Sequence, residues 1–81
     1  MKELGKITHY YPNIGVAIVE LKAPLKIGDK ILIKGSITNF EQTIESMQIE
    51  HEDVQLAEAG KSIGLMVIQK VREGDIVYTA T

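Results

Sequence analysis

Gly60-Lys61-Ser62 has the residue types that close a phosphate-binding loop, where backbone amides and a lysine cradle phosphate oxygens and a hydroxyl holds a magnesium ion. That pattern needs a glycine where Gln55 stands and a helix behind it, whereas Ile63-Gly64-Leu65 continues with strand character. The triplet therefore reads as a turn entering a strand. His51-Glu52 begins like a zinc-protease motif, but the position of the second histidine holds Gln55, and the other histidine, His9, is remote in sequence. Glu50 and Glu52 have the chemistry of a glycosidase pair, yet they lie in an acid-rich, turn-proximal stretch that reads as a solvated edge. No serine occupies a nucleophile elbow. The expectation is a non-enzymatic chain with no catalytic residue, no metal site and no cofactor.

One constellation suits binding. His9-Tyr10-Tyr11 beside Lys6 places flat rings near a cation at a strand end, the chemistry with which proteins stack single-stranded RNA. The alternative is structural, with one tyrosine packed in a barrel mouth and the other flanking the turn at Pro12.

Charge is distributed unevenly. Residues 1–34 carry six lysines against three acids, whereas residues 35–60 carry six acids and no lysine or arginine. With a net charge of -2 the chain is not a globally basic nucleic-acid binder, though a fold could gather the N-terminal lysines on one side. Any RNA contact is expected from Lys6, Lys30, Lys34, Tyr10 and Tyr11, with Arg72 as an addition, because the acidic middle repels phosphate. The 81 residues suit a single domain over 1–81 with one modest core. Cysteine is absent, which excludes disulfides and thiolate metal sites. Met1 to Lys6 lacks an apolar signal core and no run is long enough to span a membrane, so a cytoplasmic location without membrane contact is expected.

The elements that must position these residues are announced by a turn written three times. Lys26-Ile27-Gly28-Asp29, Glu58-Ala59-Gly60-Lys61 and Arg72-Glu73-Gly74-Asp75 each place glycine and a polar residue before an apolar run. Gly28, Gly60 and Gly74 are expected at strand-entry turns, with positive φ at Gly28 and Gly74. Period-two alternation predicts strands over 4–11, 16–21, 30–34, 40–50, 63–68 and 75–79. In the long one the inward set shifts phase between Ile44 and Met47, which suggests a β-bulge near Glu45-Ser46. Residues 51–59 form the longest connection, with one helical turn over 54–58. The resulting expectation is an all-β, closed antiparallel or Greek-key barrel of six or seven strands.

Several strands are apolar on both faces. With Ala17, Val19 and Leu21 inward, Val16 and Ile18 face out; Leu32 opposes Ile31 and Ile33, and Met66 opposes Leu65 and Val67. This surplus marks Val16, Ile18, Leu32 and Met66 as a candidate interface with a protein partner or a second copy, unless loops cover it.

From Ile44-Glu45-Ser46-Met47-Gln48 to Ala57-Glu58-Ala59-Gly60-Lys61-Ser62-Ile63-Gly64, the chain resembles the second, β-barrel domain of translation GTPases of the elongation factor Tu type. The turns at Gly28-Asp29 and Gly74-Asp75 extend that resemblance over nearly the whole length. It implies a stand-alone translation-factor barrel acting as an adaptor for tRNA or the ribosome, without GTP binding because the GTPase domain is absent. In that family the barrel helps hold the aminoacylated end of tRNA, with a glutamate at the position matching Gln48 and an asparagine at the position matching Ser62. Both positions differ here, although each substitute still hydrogen-bonds. The N-terminal hairpin, with Tyr10, Gly15, Ala17, Val19 and Glu20, is instead similar to the accessory C-terminal barrel of collagenase-like peptidases. That resemblance implies the alternative function, a protein-interaction barrel serving a peptidase-like or RNA-modifying enzyme.

Overall fold

Alternation of apolar and polar side chains is realised as strands in the computed structural model, which describes residues 2–80. Ten strands follow one another: β1 (Glu3–Tyr11), β2 (Val16–Leu21), β3 (Leu25–Lys26), β4 (Lys30–Lys34), β5 (Asn39–Thr43), β6 (Met47–Ile49), β7 (Glu52–Asp53), β8 (Leu56–Ala57), β9 (Ser62–Met66) and β10 (Ile76–Thr79). Eight of them form one antiparallel sheet in the order β5-β4-β10-β1-β2-β9-β6-β7, and β3 pairs with β8 in a small second sheet. The inner face carries the core: Ile7, Ala17, Val19, Ile31, Ile33, Leu65 and Val77 are completely buried. Leu25 and Ala57, from the small sheet, are buried with them. No helix among the described residues is long and apolar enough to cross a membrane.

The sheet is all-β and antiparallel as expected, but it is not a closed barrel of six or seven strands. Its hydrogen-bond ladders end at β5 and β7. At the β5 end a side chain takes over: the buried Gln42 amide donates from Nε2 to the Met66 carbonyl at 2.9 Å and accepts from the Ile68 amide at Oε1, 3.0 Å. One glutamine thus pairs with the segment leaving β9 much as a peptide unit would.

Residues 40–50 form two strands rather than one bulged strand. Ile44 is drawn out of the ladder because its amide donates to the Asp29 carbonyl and its carbonyl accepts from the Gly28 amide, both at 2.9 Å. The phase shift between Ile44 and Met47 is real, and this break produces it. The helical turn expected over 54–58 is replaced by β8, because Leu56 and Ala57 pair with Lys26 and Leu25.

Bulges occur in β1, where the sequence reads as regular. Ile7 pairs with Val19 but His9 pairs with Ile18, leaving Thr8 extra. Without that residue His9 and Tyr11 would share the inner face with Ile7. With it the phase reverses, so Tyr10 packs against the core and Tyr11 is 45% exposed. The two chain ends meet where β1 and β10 pair, with Thr79 N donating to the Lys2 carbonyl at 2.8 Å and Lys2 N to Thr79 Oγ1 at 3.1 Å.

Two of the three repeated turns share one construction. Asp29 N donates to the Lys26 carbonyl while Asp29 Oδ2 accepts from Lys26 N at 3.0 Å, and Asp75 does the same with Arg72 at 2.9 Å. Gly28, Gly60 and Gly74 have φ of 93°, 88° and 94°. A Cβ at Gly28 or Gly74 would meet nothing within 4 Å, so alanine is opposed there by backbone conformation alone. Gly28→Ala and Gly74→Ala should each cost about 1–2 kcal/mol, lowering Tm by roughly 4–16 °C in thermal melts. An unchanged or raised Tm in both variants would refute this account of the turns.

Candidate binding groove on the outer face

Cross-strand register assembles the outer face from residues far apart in sequence. One row runs Tyr11, Val16, Met66; the next runs His9, Ile18, Gly64, Gln48. Because Gly64 has no side chain, the surface sinks between Ile18 and Gln48 into an open concavity of about 570 Å³. Val16, Ile18 and Ile63 contribute to its floor and walls, Tyr11 and Ile14 its apolar rim, and Gln48, Glu50, His51 and Ser62 its polar side. Gly15, in the β1–β2 turn, accepts from Val67 N at 2.9 Å, bringing exposed Ile14 alongside the segment that carries exposed Met66 and Ile68.

The β1 bulge positions the rim. His9 and Tyr11 both point outward, their rings edge-to-face with centroids 4.3 Å apart, and His9 Nδ1 lies 3.3 Å from Glu73 Oε2. On the far side Gln48 Nε2 donates to Asp53 Oδ1 at 3.0 Å, fixing the β6–β7 hairpin against the groove. Among the lining residues Glu50 is the one carboxylate, and no lysine or arginine contributes.

The proposed RNA-contacting residues are not brought to one place. Tyr11, Gln48 and Ser62 reach the groove, while Tyr10 turns toward the core. Lys34 and Lys6 share a row that continues Lys34, Ile76, Lys6, Glu20, Ser62, so an acid stands between Lys6 and Ser62. Lys30 Nζ is 3.4 Å from Glu41 Oε1. Arg72 belongs to the Gly74 turn, beside β1, where Gly74 N donates to the Ile7 carbonyl. Elsewhere Lys22 Nζ lies 2.7 Å from Glu3 Oε2, and that hydrogen bond, with the charge of Glu3, holds the ammonium above its ordinary pKa.

The candidate interface residues gather better. Val16, Ile18 and Met66 are neighbours across β2 and β9, whereas Leu32 lies apart, half-buried next to Tyr78 and Glu41. Sequence reasoning missed Ile14, Gly64 and the Glu50-His51 turn as parts of this surface. Exposed isoleucine in a Pro-Asn-Ile-Gly turn was the available signal for the first; the others depend on register. Among the described residues no three His, Cys, Asp or Glu side chains cluster as a metal site would require.

No family model matches the chain. An uncharacterized protease of Methanocaldococcus jannaschii is 46% identical over 77 residues, covering 94% of this chain and 19% of the relative. Two collagenase sequences of Porphyromonas gingivalis are 36% identical over 77 residues, covering 93% of this chain and 21% and 19% of their own lengths. The chain thus spans about a fifth of these curated relatives. The crystal structure of the C-terminal domain of a Geobacillus thermoleovorans putative U32 peptidase shares the fold, with TM-score 0.92, 22% identity, and coverage of 99% of this chain and 93% of that one. Its selenomethionine variant also gives 0.92, covering 98% and 100%. The likeness to peptidase-related proteins covers nearly the whole chain, beyond the N-terminal hairpin in which it was read. It lends no support to the resemblance to translation GTPases.

Proposed function

We propose that this chain, as a single domain over residues 1–81, is a non-catalytic accessory module of a U32-peptidase-like protein, making contacts for a larger body. The observation that carries this reading is the near end-to-end match of the chain to about a fifth of much longer proteins named as a protease and as collagenases. The fold shared with a U32 peptidase C-terminal domain supports it. The chemistry agrees: His9 is engaged with Glu73 and Tyr11, and His51 sits in a surface turn. A module of this kind works by presenting a surface, and the groove is an open, largely apolar surface with polar groups converging on it.

Cross-linking the tagged chain in its source cells, then purifying it with and without ribonuclease, tests the reading. A peptidase-like polypeptide identified by mass spectrometry should remain after ribonuclease treatment, and the purified chain alone should leave gelatin uncut. Loss of the captured material with ribonuclease would favour the RNA adaptor instead. Gelatin cleavage by the chain alone would overturn the non-catalytic assignment.

A further inference from the structure

The two-residue turn joining β6 to β7 is made of residues that disfavour its backbone. Ile49 pairs with Glu52, and the two residues between them, Glu50 and His51, both have left-handed φ, 52° and 68°. Tight hairpins of this type ordinarily use Asn-Gly, which adopts positive φ with little steric penalty. Here two large polar side chains are held at the groove by a strained turn. Their charge has a partner to find: Glu50 is the only fixed charge lining the groove, with exposed Glu52 and Asp53 behind it.

We propose that the groove docks a protein segment presenting an apolar side chain with an arginine or lysine beside it. The apolar side chain enters over Gly64 between Val16 and Ile18, and the cation meets Glu50 across the rim. This deepens the accessory-module reading and rests on it, since the segment would belong to the peptidase-like body. Charge decides among occupants. A nucleic acid would set phosphates against Glu50, with no lysine or arginine lining the groove to neutralise them. A second copy docked through the same face about a two-fold axis would offer Glu50 no cation, because no lysine or arginine lines the groove. A cationic, apolar segment meets neither obstacle.

Three variants separate the contributions. A Cβ at Gly64 would lie 3.5 Å from Val16 Cγ1 and 3.9 Å from Ile18 Cδ1, ordinary contacts, so Gly64→Ala fills the floor without disturbing the sheet. Glu50→Gln removes the charge alone. Glu50→Asn combined with His51→Gly keeps the hairpin, relieves its strain and should raise Tm, so weakened binding in that variant cannot be ascribed to unfolding.

The probes are short synthetic peptides carrying leucine flanked by arginines, the same peptide with glutamates, and oligouridine, each titrated into the isotope-labelled chain and followed by amide chemical shifts. The arginine–leucine peptide should shift Val16, Ile18, Gly64 and His51. Glu50→Gln should weaken it roughly twofold to fivefold, as expected for an exposed ion pair. Equal binding by the glutamate peptide, shifts confined to another face, oligouridine shifting the same amides, or dimerisation through this face on concentration would each overturn the proposal. The cross-linking experiment separates the two readings. Capture of the peptidase-like protein undiminished by Gly64→Ala and Glu50→Gln would sink the groove and leave the accessory module standing. Peptide binding in the groove with no peptidase-like protein captured would support the groove and sink the accessory module.

Discussion

Gln42→Ala should destabilise the chain by about 2–4 kcal/mol, because it removes two hydrogen bonds and strands the Met66 carbonyl and Ile68 amide in a partly buried position. For a domain of this size that corresponds to a Tm roughly 10–25 °C lower. Gln42→Glu preserves shape and tests the chemistry. At neutral pH its carboxylate has no donor for the Met66 carbonyl, and the buried charge is opposed by desolvation. The neutral acid is the better fit, so the folded-state pKa of the introduced group lies above its unfolded value of about 4.3. The penalty is absent below that value and complete above the folded pKa, so this variant should gain stability as pH falls through that window. Denaturant melts across pH check both statements. A Gln42→Ala Tm within a few degrees of the parent would show that the side-chain bridge contributes little to holding the sheet together.

Gly35→Ala should be comparably damaging for a different reason. Its Cβ would enter the space of Asp75 Oδ1 and lie 2.7 Å from Asp75 Cγ. Asp75 is only 5% exposed and its Oδ2 accepts from Arg72 N, so the carboxylate can yield only by abandoning the Gly74 turn. A cost of about 2–3 kcal/mol is expected, in the range of overpacked cores. Asp75→Ala alone should cost about 1.5–3 kcal/mol through the lost charged hydrogen bond. Together the two changes should cost less than their sum by about 1–2 kcal/mol, because the clash needs the carboxylate to exist. Strictly additive values from denaturant melts would refute the coupling.

Strand positions were legible in the sequence where one face is buried. Burial alternates along Val16–Leu21 and Lys30–Lys34 although their outer faces are partly apolar, and their limits follow from residues that cannot change faces without exposing Ala17, Val19 or Ile31. The glycine turns were legible because positive φ has few residue solutions. The gap between β5 and the segment after β9 was not, because Gln42 at an inward position looks the same whether it faces a ladder or replaces one. The Thr8 bulge also carries no compositional mark, yet it decides which of Tyr10 and Tyr11 is available to a partner. For the groove, local pattern marked Val16, Ile18 and Met66 as surplus apolar surface. Their assembly with Gly64, Gln48 and Glu50 depends on pairings between strands distant in sequence.

The antiparallel pairing of Glu3 with Tyr78, continued by the bonds between Lys2 and Thr79, bears on how such a unit can be wired into a longer polypeptide. Entry and exit lie side by side on neighbouring strands, so the unit can be inserted into a surface loop of a host without prising apart the flanking residues. The same adjacency permits circular permutation: a short linker can join the two ends while new termini open at an exposed turn such as Pro12–Gly15. In mechanical terms, force applied through both ends would load the β1–β10 ladder first and peel its bonds successively, leaving the β2–β9 pairing beneath the groove outside the direct line of tension.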